Sequence, residues 1–305
     1  MDRRTFFKKG FATAVTLSAF YSERTFALLG FGKEAGLTVD LVAVKGGEPD
    51  EMFRRGIKVY GGLGKFVKKG QKVVVKPNIG WDVTPERAAN TNPKLVYEIV
   101  RHCIDAGAKE VHVFDHTCDN WERCYKNSGI EKAVKDAGGK MAPGNAESYY
   151  HEVTVSAGKN LKKAKEHELV LEADVFINVP VLKDHGGSRL TIAMKNLMGI
   201  VWDRGYWHRN DLHQCIADFA TYRKPTLNIV DAYAVMKKNG PRGRSIDDIV
   251  IMKSLLISTD IVAIDTAAAK LFGYDPSDVN YIQIAAEQKV GRMDLENLHI
   301  ERITI

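Results

Sequence analysis

No two cysteines in this chain of 305 residues stand at C-x-x-C spacing. The four present, Cys103, Cys118, Cys124 and Cys215, are too scattered for a shared zinc site, and no iron–sulfur cluster is expected. The glycine-rich G-x-x-x-x-G-K-[ST] loop is missing, as are G-x-G-x-x-G and G-x-S-x-G. The short "GGLG" at 61–64 has neither a strand before it nor Lys-Ser/Thr after it. These absences exclude the ordinary P-loop NTPase, Rossmann dehydrogenase and serine hydrolase. There is no block of basic residues with interleaved aromatics, so no nucleic-acid partner is expected. No apolar run reaches the roughly 20 residues that span a bilayer, so no stable membrane span is expected.

What is present is ordinary globular material, 45% hydrophobic and 27% charged, enough for a large core. The net charge of +6 is partly local. Arg3, Arg4, Lys8, Lys9 and Arg24 against Asp2 and Glu23 leave +3 near the N-terminus. There "DRRTFFKKG" (2–10) places a twin-arginine pair before the modest apolar run "FATAVTLSAF" (11–20), and Thr25-Phe26-Ala27 offers small residues for cleavage. Residues 1–27 read as a twin-arginine (Tat) export signal. The expectation is a periplasmic or exported protein, with the Tat machinery as a partner and a mature domain over 36–305. In an oxidising compartment "CDNWERC" (118–124) is open to a Cys118–Cys124 disulfide or to two free thiols.

Along the mature chain, strand and helix periods alternate. "QKVVVKPNIGW" (71–81) reads as a strand ending in a turn. "NPKLVYEIVRHCIDAGA" (92–108) reads as an amphipathic helix with an Asn92 cap and Pro93 in its first turn, and "KEVHVFDH" (109–116) as the next strand. Strand, helix, strand implies a right-handed crossover in a parallel sheet. Further strands are expected over 36–46, 173–183, 225–235, 249–260 and 295–305, and helices over 49–67, 128–139, 211–223, 261–274 and 280–291. Residues 189–201 fit both periods, and 140–169 fit neither. The class is α/β, with a mixed, mostly parallel sheet, helices on both faces, and room for one body or two lobes.

Ligands of open α/β sheets bind outside the carboxyl ends of strands. The polar residues there are Lys76 and Asn78, Asp115 and His116, Lys183 to His185, Asp231 and Asp260. If the strands are parallel neighbours, Lys76, Asp115, His185 and Asp231 converge. The plain alternatives are a solvated lysine for Lys76 and turn or helix caps for Asp115, Asp231 and Asp260. Asp265, inside an apolar helix, needs a partner if buried. Residues 183–213 carry the densest signal: Lys183, His185, Arg189, Lys195, Asn196, Arg204, His208 and His213. Gly186 and Gly187 would let backbone approach a ligand. Lys195 and Asn196 interrupt an apolar segment, pointing either into a site or along a wet helix face. His208 and His213, five apart, do not match the helical spacing of paired zinc ligands.

Five stretches are similar to successive blocks of the DUF362 family: "VVVKPNIG", "NPKLVYEIVRHCIDAGAKEVHVFD", "ADVFINVPVLKDHGGSRLTIAMKNLMGIV", "KPTLNIVDAYAVMKKNGPRG" and "STDIVAIDTAAAKLFG". The resemblance implies motif residues at Lys76, Asn78, Lys183, His185, Lys195, Asn196, His208, Asp231, Asp260 and Asp265. The clustered-cysteine module of some relatives is missing here.

The leading expectation is an exported enzyme acting on a small anionic compound that bears phosphate or carboxylate. Lys76, Lys183 and Lys195 would bind the anion, and Asn78 and Asn196 would orient it. His185, His208 and Asp231 are the candidate acid/base groups. His185, His208 and Asp115 are the candidate ligands if a divalent metal assists. The alternative is a non-catalytic periplasmic protein that binds or matures a metal or cofactor.

Overall fold

The structure is a computed structural model that describes residues 39–305, so the proposed leader lies outside the described residues. Twelve strands follow in chain order: β1 (Leu41–Lys45), β2 (Lys72–Pro77), β3 (Glu110–Val113), β4 (Lys140–Met141), β5 (Tyr150–Thr154) and β6 (Lys163–His167). Then come β7 (Val175–Val179), β8 (Val181–His185), β9 (Arg189–Thr191), β10 (Leu227–Met236), β11 (Ile249–Ser258) and β12 (Ile300–Thr304). Ten of them form one sheet in the order β12-β1-β11-β10-β7-β2-β3-β4, with β8 beside β10 and β9 beside β8. β5 and β6 form a separate antiparallel hairpin. From β10 through β7, β2 and β3 to β4 all pairings are parallel, and β11 runs antiparallel between β1 and β10. The class is therefore the expected α/β, and what the sequence left open as two lobes is one continuous sheet.

The chain forms this sheet for local reasons. Val73, Val74 and Val75 are β-branched and buried, as a central parallel strand requires. Pro93 and the Asn92 cap, whose side chain accepts from the Lys94 N–H at 3.0 Å, start the helix Pro93–Asp105. Its buried stripe, Leu95, Val96, Ile99, Val100 and Cys103, joins Val73 and Val75 in the core on one face of the sheet. On the other face Val74 and Phe176 meet the helices Leu212–Tyr222 and Ile261–Phe272. The connection from β2 thus leaves over one face toward β3, and the connection from β7 leaves over the opposite face toward β10. The strand order reverses direction between β2 and β7, which is where such sheets open a crevice.

At that point the period of two turns polar. Lys76 of β2 pairs with Asn178 of β7, and Asn178 pairs with Asn228 of β10. All three side chains follow Val74, Phe176 and their neighbours onto the second face, and all are buried. A buried polar row needs hydrogen-bonding partners. It finds them in the segment that crosses above it, the short helix Ala193–Asn196. Asn178 Nδ2 donates to the Ala193 carbonyl and to Asn228 Oδ1, both at 3.0 Å.

Several expectations are refined. Pro180 splits 173–183 into β7 and β8, because its missing N–H breaks the ladder. Residues 189–201 fit both periods because they contain a strand, a helical turn and a 3₁₀ turn in succession. Residues 118–124 run into a helix, Trp121–Asn127, and all four cysteines are free. Among the described residues no helix is long and apolar enough to cross a membrane.

Asp231 is not at a strand end. β10 continues to Met236, and Asp231 lies one register step out of phase with Asn228, on the opposite face. Its buried carboxylate accepts from the Asn92 N–H at 2.7 Å and the Tyr233 N–H at 3.1 Å. It therefore ties the start of the helix Pro93–Asp105 to β10. Asp231→Ala leaves two donors unpaired and is expected to cost about 1–3 kcal/mol of unfolding free energy. Urea denaturation measures this, and a loss near zero would refute the tie.

Candidate functional site

The loops after β2 and β3, strand β8 and the segment 191–204 enclose a cavity of about 60 Å³ at the carboxyl end of the parallel strands. That is room for a few waters or one small polyatomic anion. Its walls include Lys76, Asn78, Asp115, Lys183, His185, Lys195 and Asn196, all expected from the sequence, together with Arg204 and Cys118. Trp81, His116 and Pro241 also line it.

Lys76 is 1% exposed, and all of its donors are placed. Its Nζ lies 3.0 Å from Asp115 Oδ1, and donates to the Asn196 carbonyl and to Asn196 Oδ1, both at 2.7 Å. Burial lowers its pKa, and the Asp115 carboxylate pulls it back up. Asp115 also accepts from the Ile79 N–H at 2.6 Å through its other oxygen. The pair thus pins together the loops after β2 and β3. Gly199 covers it: a methyl group there would collide with both Lys76 and Asp115, so only glycine lets the chain pass.

Asn196 has its amide orientation fixed by four partners. Nδ2 donates to the Lys76 carbonyl at 3.2 Å and to Asn178 Oδ1 at 2.9 Å, and Oδ1 accepts from Lys76 and from Asn78 Nδ2 at 3.1 Å. Asn78 Oδ1 then accepts from Lys183 Nζ at 3.1 Å, and Lys183 also donates to the Ala89 carbonyl. One chain of bonds so links the two buried lysines. Asp265 supports it from behind. Its buried carboxylate accepts from the Ala193 and Met194 N–H groups at 2.7 and 3.0 Å, which is the partner the sequence required. Asp260 caps the helix Ile261–Phe272 through the Val262 and Ala263 N–H groups, both at 2.9 Å, and takes no part in the cavity.

Lys195 differs from the other lysines. Among the described residues its ammonium makes no hydrogen bond and no ion pair, although it lines the cavity. Burial pulls the pKa of Lys183 down to about 7 and that of Lys195 down to about 8. The neighbouring cations push the same way: Lys195 and Lys76 act on Lys183, and Arg204 and Lys76 act on Lys195. Arg204 is held by the His116 and Thr117 carbonyls at 2.8 and 2.9 Å, with Cys118 Sγ at 3.7 Å. Four cations thus face one carboxylate.

His185 Nδ1 accepts from the Gly187 and Ser188 N–H groups at 3.0 and 3.2 Å, which leaves the proton on Nε2. Burial, Lys195 and Lys183 drive its pKa down to about 3. It is a neutral donor at physiological pH, and the two glycines serve to fold the backbone against it. His208 stands outside the wall, on the exposed helix Arg204–Arg209, with its pKa lowered by burial, Lys195 and Arg204. Asp231 is on the far face, His213 stacks on Tyr281, and Arg189 lies over the Tyr274 ring. Among the described residues no three His, Cys, Asp or Glu side chains gather to hold a metal ion. Asp115 is committed to Lys76 and Ile79, so His185, His208 and Asp115 do not form a metal centre. The sequence reading missed Asn178, Asn228, Cys118, Trp81 and Gly199. Polar residues inside the apolar strands "FINV" and "LNIV" were the available signal for the two asparagines.

Fold and site together define an α/β protein with a cation-lined cleft at a topological switch point. A family model described as a domain of unknown function, DUF362, matches residues 73–270, and the chain belongs to that family. A thylakoid-associated protein of Synechocystis sp. is 26% identical over 251 residues, 77% of this chain and 73% of that protein. Among solved structures, the lactate racemase apoprotein of Thermoanaerobacterium thermosaccharolyticum aligns with a TM-score of 0.45 and 13% identity, over 70% of this chain and 53% of that one. A protein from Thermotoga maritima aligns with a TM-score of 0.41 and 14% identity, over 60% and 51%. The chain spans about half the length of these two structures.

Between a folded value of about 8 and the ordinary 10.5, the unfolded chain binds a proton that Lys195 has lost in the fold. Stability contributed by this group therefore rises with pH across that window. In anion-free buffer, wild type is expected to gain more melting temperature than Lys195→Met between about pH 7.5 and 9.5. Parallel pH profiles would contradict the burial of this charge.

Proposed function

We propose that the cleft binds a small oxyanion, a phosphate or carboxylate carried by a small molecule, and that the protein is an enzyme acting on that molecule. The observation that carries this reading is the partly buried Lys195 ammonium, which lines the half-open cleft with no partner among the described residues. A partly desolvated cation without an anion is costly, and a ligand oxyanion supplies the missing acceptor. Arg204 and Lys183 add positive field, and the neutral His185 adds a donor that keeps its proton. Asn78 and Asn196 act through the lysines, fixing where their charges sit. Lys183 and Lys195 both titrate near neutrality, which suits proton transfer to or from a bound compound. This assigns acid–base work to Lys195 and gives His185 a polarising role. The twin-arginine leader supports export of the folded protein to the periplasm.

Inorganic phosphate or a simple carboxylate is expected to raise the melting temperature of the wild-type protein. Lys195→Ala is expected to weaken that binding about 10- to 100-fold, the worth of a charge-assisted hydrogen bond. Affinity should also fall as pH rises through about 8, because the bound form needs Lys195 protonated. Anion stabilisation that is absent in wild type, or unchanged in Lys195→Ala, would overturn the reading.

A further inference from the structure

The described residues expose few large apolar side chains, and three of them crowd into one short stretch. Ile246 is 65% exposed, Ile251 59% and Val250 42%. They sit at the outer end of the β10–β11 hairpin, beyond the point where β1 stops opposite Ser254, with Val250 and Ile251 on opposite faces of β11, so the tip is apolar on both sides. This exposure is built rather than frayed. The Asp248 carboxylate accepts from the Arg244 N–H at 2.6 Å, the Ser245 N–H at 3.0 Å and Asn239 Nδ2 at 2.7 Å. Those bonds hold its pKa down at about 2, so the clamp persists at any physiological pH. Gly240 donates to Asp184 Oδ2 at 2.9 Å, which fixes the base of the loop to β8.

Charge surrounds the apolar tip. Lys238, Arg242, Arg244 and Lys253 are exposed around it, against the single exposed carboxylate of Asp247. Arg242 lies 3.6 Å from Asp119 and over the Trp81 ring, and Lys253 comes within 4.0 Å of Glu48. Lys238 and Arg244 are left to face outward. The apolar centres of protein–protein interfaces favour aromatic residues, whereas this tip is wholly aliphatic. Aliphatic side chains ringed by cations match the boundary between acyl chains and anionic headgroups.

We infer that the β10–β11 hairpin docks this protein peripherally on an anionic phospholipid surface, inserting Ile246, Val250 and Ile251 below the headgroups. Pro241 of the same loop forms part of the cleft wall, so docking presents the cleft mouth to the membrane.

The test uses the full chain with vesicles of phosphatidylcholine alone or of phosphatidylcholine and phosphatidylglycerol in equal parts, read by co-sedimentation. Wild type is expected to bind the anionic vesicles at least tenfold more strongly, with binding lost as salt rises. An Ile246→Ser, Ile251→Ser double variant and a Lys238→Glu, Arg244→Glu double variant should each lose at least tenfold, with unchanged circular dichroism. Excess inorganic phosphate and Lys195→Ala separate this from capture of a lipid headgroup in the cleft, and neither should release the protein. Binding that survives both hairpin variants, or that phosphate abolishes, overturns the inference. So does hairpin-dependent dimerisation without vesicle binding, which would make the patch a contact between copies of the chain.

Discussion

The Lys76–Asp115 pair is the constraint around which the site is arranged. Two opposite charges lie 3.0 Å apart, each almost fully buried, at the point where the sheet reverses its winding. A buried ion pair of this kind is costly to desolvate and is tolerated only when its remaining valences are filled. Here Asn196 accepts from Lys76 and the Ile79 N–H donates to Asp115 Oδ2, while Asp115 Oδ1 has the ion pair alone. The demand for those partners dictates the path of residues 193–199 and requires glycine at 199. Everything the cleft displays, Lys183 through Asn78 and Lys195 beside Asn196, is indexed to this pair.

The same arrangement separates two kinds of lysine. Lys76 and Lys183 have protein acceptors and serve as struts, whereas Lys195 has none among the described residues, which is why the proposed reading gives it the ligand. Their like charges, packed within one small cavity, lower each other's proton affinity in addition to burial. The lysines are therefore easily neutralised, and a bound anion of the kind proposed would restore their charge. His185, driven to the neutral form by the same field, adds a donor without adding charge. On the proposed reading, proton transfer here would use ammonium groups near their pKa rather than imidazole.

Much of this was legible in the residues. Strand, helix and cap signals at 71–116 give the parallel unit directly, because β-branched runs and Asn-Pro starts are local matters. Lys76, Asn78, Lys183, His185, Lys195 and Asn196 stand out as polar interruptions of apolar periods, and all six line the cleft. Asp231 illustrates the limit. Its face follows from the period of two, three positions from Asn228, but that β10 runs on past it to Met236 depends on pairing with β11. His208 lies on the exposed helix outside the wall but within the field of His185 and Lys195, whereas His213 stacks on Tyr281 away from it. Asn178 and Asn228 show locally only as polar residues inside apolar strands, and Gly199 acts through partners far along the chain, so no local pattern announces its role.

The most direct test is the proton affinity of Lys195 itself, read by carbon-13 NMR of lysine side chains labelled at Cε, assigned with Lys195→Arg. The account predicts a pKa near 8 in anion-free buffer that moves upward when phosphate is added. An ordinary lysine value near 10.5, unmoved by phosphate, would contradict it.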